Sequence, residues 1–95
     1  MELYQAEWCP HSHKVRQRLS ELGIDFIARQ VSAEPDDRGD MKARVGTDEI
    51  PVLVDNGRTT CGEEDILDYL DRFDDRADAD AHRDKSREEV PEFAA

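Results

Sequence analysis

Ninety-five residues, 37% hydrophobic and 39% charged, make one small domain with a compact core and a heavily ionised surface. The formal charge of −11, from 24 acidic and 13 basic residues, speaks against a nucleic-acid partner, because phosphates would repel such a surface. Apolar runs are as short as Val52-Leu53-Val54, so neither a signal peptide nor a membrane span is expected and the expected location is the cytoplasm. There, two cysteines point to chemistry or to chance rather than to a disulfide scaffold.

Glu2 to Ala6 is short and part apolar and reads as a first strand. Cys9-Pro10-His11-Ser12 follows, and from His13 to Gly23 the spacing of Val15, Leu19 and Leu22 predicts an amphipathic helix that stops at Gly23. Asp25 to Val31 reads as a second strand with Phe26 and Ile27 as its apolar centre. Ser32, Pro35 and Gly39 mark a loop, and a short helix is expected from about Asp40 to Val45, ending at Gly46. Pro51 to Asp55 is a third strand. Asn56-Gly57 is a strong hairpin signal, so Arg58-Thr59-Thr60 pairs back as a fourth. After Gly62 a last helix carries Ile66, Leu67, Leu70 and Phe73 on one face. The order is β-α-β-α-β-β-α, an α/β domain over residues 1–74. Residues 75–95 lack periodic apolar positions and read as an acidic tail, frayed helix or disordered.

Cys9 is the focus of this pattern. Pro10 suits a first helical turn, since its missing N–H would be unpaired there anyway. The thiol therefore belongs at or beside an N-cap, where backbone N–H groups converge and the helix dipole adds roughly half a positive charge. A free Cys has a pKa of about 8.5, and a helix start lowers it and favours the thiolate that attacks disulfides.

Charge is skewed along the chain. Residues 1–60 hold 11 acids against 8 bases, a net −3, and residues 61–95 hold 13 against 5, a net −8. The acid-rich, lysine-poor balance resembles the proteomes of salt-in halophilic archaea, where carboxylates keep proteins soluble and salt screens their repulsion. The alternative is an acidic C-terminal tail on an ordinary protein.

The element order, the Cys-Pro-x-Ser run at Cys9–Ser12 and the Ile50-Pro51 step resemble the thioredoxin fold. Within it the chain is most similar, over residues 2–73, to glutaredoxins and the N-terminal domain of glutathione S-transferases. Trp8-Cys9-Pro10-His11-Ser12 resembles the Cys-Pro-Tyr-Cys of glutaredoxins and the Cys-Pro-Phe-Ser of redox-type transferases. Ile50-Pro51 resembles the family's cis-proline step, and Cys61-Gly62-Glu63-Glu64-Asp65 stands where relatives bind the γ-glutamyl end of glutathione. The resemblance implies a four-stranded mixed sheet with flanking helices and no tightly bound cofactor. The co-substrate would be a small thiol, glutathione or γ-glutamylcysteine.

It also assigns roles. Cys9 would be the nucleophile, with Pro10 and Ser12 completing its site. Ile50 and Pro51 would shape the thiol groove, exposing the Ile50 backbone to a peptide-like thiol as an added strand. Gly62, Glu63 and Glu64 would hold the γ-glutamyl end, a carboxylate gripping the ammonium while helix N–H groups grip the carboxylate. For Glu63 and Glu64 the plain alternative is a pair of acids favouring the helix dipole. Lys14 and Arg44 are candidates to hold a ligand carboxylate, with solvated charge as the alternative. Ser12 cannot form a disulfide, so the direct route is monothiol: Cys9 attacks a mixed disulfide and a second small thiol releases it. Cys61 is a possible resolving thiol or merely a small hydrophobe.

Cys9, His11 and His13 do not share a helical face, so no metal site is expected. The expected function is glutaredoxin-like reduction of mixed disulfides between proteins and a small thiol, by a monomer. The rival is a non-catalytic module that holds a small thiol, an Fe–S cluster or a protein partner. A full transferase is not expected, since no residues remain for the helical second domain that builds an electrophile pocket.

Overall fold

The computed structural model describes residues 1–88. Its elements are β1 (Glu2–Gln5), α1 (Pro10–Leu22), β2 (Ile27–Gln30), α2 (Gly39–Val45), β3 (Val52–Asp55), β4 (Arg58–Cys61), α3 (Glu63–Leu70) and α4 (Ala79–Arg87), with a 3-10 turn at Pro35–Asp37. The four strands form one mixed sheet in the order β2-β1-β3-β4. β1 and β2 run parallel across the α1 crossover, while β3 is antiparallel to both β1 and β4. This is the thioredoxin-like architecture.

Strand alternation divides the core between the two sheet faces. Leu3 stands opposite Leu53, and both join Val15, Leu19, Leu22, Ile66 and Leu70 between the sheet and the helices α1 and α3. Tyr4 stands opposite Val52, and these meet Met41 of α2 on the other face. The apolar spacing of α1 and α3 supplies the first cluster: Val15, Leu19, Ile66 and Leu70 are fully buried.

Local signals end the elements where expected. Gly23 and Gly46 close α1 and α2 in the left-handed region, at φ 69° and 82°, where glycine is least strained. Asn56 and Gly57 take φ 50° and 81° in the β3–β4 turn, as a type I′ hairpin requires. Ile50-Pro51 is cis.

α1 begins at Pro10, ahead of the apolar repeat and as the first-turn proline predicts, so Pro10, His11 and Ser12 belong to its first turn. One expectation is corrected in detail. β2 is shorter than expected, and Ile27 is not its apolar centre: it is 55% exposed at the start of an outermost strand, and Phe26 packs on the core instead. The acidic stretch after residue 74, read as frayed helix or disordered, contains a helix, α4. Its hold on α1 is largely polar, which is why apolar periodicity missed it. Glu21 of α1 is buried and takes Arg18 at 3.1 Å and Arg83 at 3.0 Å. Asp75 takes the same two guanidiniums at 2.7 Å each. The Arg76 N–H donates to the Glu21 carbonyl at 2.9 Å, and Ala79 is buried. The rest of the expected tail, residues 89–95, lies outside the described residues.

Candidate thiol site

Cys9 is the N-cap of α1. Its backbone is extended, at φ −79° and ψ 118°, and its Sγ accepts the Ser12 N–H at 3.4 Å. Pro10 fills the first helical position and costs no hydrogen bond. The approach to the cap is fixed on both sides: the Cys9 N–H donates to the Ala6 carbonyl at 3.1 Å, and the His13 N–H to the Cys9 carbonyl at 3.0 Å. Cys9 is 5% exposed and Ser12 fully buried. The Ser12 hydroxyl accepts the Ala6 N–H at 3.5 Å, so it ties the end of β1 to the first turn of α1.

Burial works against a charged sulfur here. Hydrogen bonds from the Ser12 hydroxyl and from the N–H groups of Ser12 and His11, helped by the Arg16 charge, outweigh it and hold the Cys9 thiol below its ordinary value. Arg16 is placed for this by donating to the Ala6 carbonyl at 3.4 Å and to the Gln5 side chain. Its part was legible but unread: Cys9, Ser12 and Arg16 recur at i, i+3 and i+7, one helical face.

Across from α1 stands the start of α3. Gly62, at φ 90°, is its N-cap, and its N–H donates to the Pro51 carbonyl at 3.0 Å. Pro51 is buried beside β3. The Ile50 N–H and C=O make none of the turn, loop or cap hydrogen bonds among the described residues. Glu63 opens α3 and is engaged from α1: His11 Nδ1 lies 2.7 Å from its Oε1 and Lys14 Nζ 3.6 Å from its Oε2. The His11 contact, with the Lys14 charge, outweighs burial and holds the Glu63 carboxyl below its ordinary range. His11 and Glu63 are 52 positions apart, and no local pattern announces their pairing.

A cleft of about 470 Å³ opens at this junction, lined by His11, Lys14, Cys61, Gly62, Glu63, Glu64 and Asp65. Glu64 is exposed and forms no ion pair among the described residues. Cys61 is exposed at the end of β4, opposite Val52. Both cysteines are free thiols. Lys14 belongs to this cleft through Glu63, whereas Arg44 lies in another, between α2 and the end of β2. Among the described residues no group of three His, Cys, Asp or Glu side chains is placed to hold a metal ion.

A thioredoxin-like domain whose first helix is capped by a thiol and bridged to the start of its third helix is the class that fold and site define. Comparison with known proteins narrows it. The chain matches the family described as glutathione S-transferase, N-terminal domain, over residues 3–77, and it belongs to that family. It is similar to glutathione S-transferase 1-6 from Anopheles dirus species B, at 25% identity and a TM-score of 0.68 over 76% of this chain and 35% of that one. It is similar to rice GST1, solved in complex with glutathione, at 27% identity and a TM-score of 0.66 over 75% and 32%. A glutathione S-transferase domain-containing protein from Marinobacter aquaeolei VT8 gives 28% and 0.65 over 78% and 39%. The chain thus spans about a third of the length of these relatives. A search of curated proteins found no match.

Proposed function

We propose that this domain is a glutaredoxin-like monothiol oxidoreductase that reduces mixed disulfides between proteins and a small thiol, glutathione or γ-glutamylcysteine. One observation carries the reading: Cys9 Sγ accepts a helix-start N–H at 3.4 Å, and the residue that supplies it is a fully buried serine rather than a second cysteine. The thiolate is stabilised where it must attack, and no neighbour on the helix can resolve the product. Family membership and the glutathione complex of the rice relative support a γ-glutamyl thiol as co-substrate.

In the first step the Cys9 thiolate attacks the small-thiol sulfur of the mixed disulfide. A Cys9–small thiol disulfide forms, and the protein client leaves as a thiolate. In the second, a free small thiol attacks that sulfur, releasing the symmetrical small-molecule disulfide and the Cys9 thiolate. The small thiol is oxidised and the client reduced. Ile50 offers its backbone to the thiol, in a groove that Pro51 shapes. Glu63 is occupied by His11 and Lys14, so of the two glutamates at the start of α3 Glu64 is the one left to grip a γ-glutamyl ammonium.

Turnover is measured with protein mixed disulfides of glutathione and of γ-glutamylcysteine, across KCl concentrations. Cys9→Ser abolishes reduction and Cys61→Ser leaves it. Activity that survives Cys9→Ser refutes the assignment. Small-thiol binding without turnover by the native chain makes the domain a binding module instead.

A further inference from the structure

On the opposite sheet face from Cys9, a cleft of about 370 Å³ lies between α2 and the outer half of β2. None of the residues lining the cleft between α1 and α3 lines it. Two of its walls are polar side chains more than nine-tenths buried. Tyr4 is 7% exposed, and its hydroxyl has no hydrogen-bond partner among the described residues. No described buried side-chain polar atom lacks a partner, so this hydroxyl reaches open space, and the space Tyr4 borders is this cleft. Arg38 is 6% exposed. It donates to three neutral carbonyls, those of Ser32 and Asp48 at 2.8 Å and Ala33 at 3.1 Å, and forms no ion pair with any described residue.

Burying a guanidinium among carbonyls satisfies its N–H groups and leaves its charge uncompensated, which is costly away from water. Arg44, on the cleft wall from α2, likewise forms neither an ion pair nor a hydrogen bond among the described residues. In a chain of net charge −11, two guanidiniums without carboxylates and an unused phenol in one concavity are out of keeping with the surface. We propose that this cleft binds a small organic carboxylate of single negative charge. Arg44 and the Tyr4 hydroxyl are its donors, and Arg38 is the buried charge that favours it. Asp37 and Asp40 also line the cleft and set the limit on charge, since a dianion would meet their repulsion. The inference stands apart from the chemistry of Cys9.

The probe is L-glutamate, net charge −1, titrated into the reduced full chain at fixed ionic strength while backbone amide resonances are followed. Saturable shifts are expected in 28–32 and 38–44. Tyr4→Phe, which removes one oxygen, and Arg44→Ala, on an exposed helix position, each weaken binding about tenfold, equivalent to about 1.4 kcal/mol. Asp71→Asn, exposed and outside both clefts, leaves it unchanged. Shifts that never saturate, or native affinity retained in both cleft variants, overturn the proposal. So does inorganic phosphate binding the same amides more tightly than glutamate, which would make the site one for phosphate.

Discussion

Ser12→Ala is the sharpest test of how the site works, because it removes one oxygen with two separable duties. The first is structural. The Ser12 hydroxyl accepts the Ala6 N–H, and in the variant that buried donor loses its acceptor. Leaving such a group unpaired costs about 1–3 kcal/mol. The 3.5 Å separation puts this bond at the weak end, about 1 kcal/mol, or about 4–8 °C in melting temperature for a domain of this size. The second duty is electrostatic. Ser12's hydroxyl is the strongest of the contacts that lower the Cys9 pKa, ahead of the backbone N–H groups and of Arg16. Ser12→Ala should therefore raise the midpoint of Cys9 alkylation against pH, and raise it more than Arg16→Gln does. The two duties are linked through pH. The folded-state pKa lies below the unfolded one, so the thiolate's contribution to stability is fully present above the unfolded value of about 8.5. It is lost as pH falls through the folded pKa, so the variant's deficit in stability grows as pH rises. The assay is iodoacetamide alkylation from acid to alkaline pH in a Cys61→Ser background, beside thermal melts at the two ends of the range. An unchanged midpoint in a folded Ser12→Ala chain would refute the claim that the hydroxyl stabilises the thiolate.

Ser12→Cys should form an internal disulfide with Cys9 under oxidant, detectable by mass after trapping, because position 12 already contacts the Cys9 sulfur; failure in a folded variant would contradict that geometry. Glu63 should titrate below the ordinary glutamate value of about 4.3, and His11→Ala with Lys14→Ala should bring it back up, as carbon-13 NMR of its carboxyl would report. Because that pKa is depressed, the α1–α3 bridge stabilises the fold above the unfolded carboxyl value and loses this effect as pH falls through the folded one. The net charge of −11 predicts a melting temperature that climbs with KCl, most steeply at low salt, where the Debye length falls from about 10 Å at 0.1 M to about 3 Å at 1 M. A flat melting temperature across that range rules out the salt-adapted reading.

Much of the fold was legible because it is written in local chemistry. Gly23, Gly46 and Asn56-Gly57 each sit where the backbone turns left-handed, and Val15 with Leu19, or Ile66 with Leu70, needs only helical spacing to find the core. Cys9 and Ser12 were legible for the same reason: a proline and a thiol at a helix start define their own geometry. What escaped was what depends on residues far apart. Ile27 reads as core in any window, yet a place on the outermost strand leaves it 55% exposed. α4 is held through Glu21, buried on α1 and matched to Arg83 sixty-two positions later, and charge complementarity over that distance has no period to detect.

The same distinction separates the two halves of the thiol site. The α1 half is self-contained: cap, proline, serine and arginine come from one stretch of chain, and their geometry follows from helix periodicity. The α3 half depends on how α3 meets α1, and there the structure departs from the simplest transfer of roles. Glu63 stands at the helix start where a γ-glutamyl group would be expected to bind, but its two oxygens already face His11 and Lys14. An incoming ammonium must either displace those cations, with Glu63 as its partner, or leave them in place and use the exposed Glu64. The second route needs no ion pair broken, and it keeps His11, two residues from the nucleophile, anchored to α3 while the thiol binds. Glu64→Gln should then raise KM for the small thiol more than Glu63→Gln does, with kcat on a bound mixed disulfide little changed. The reverse order would mean that the ligand opens the His11–Glu63 bridge on binding.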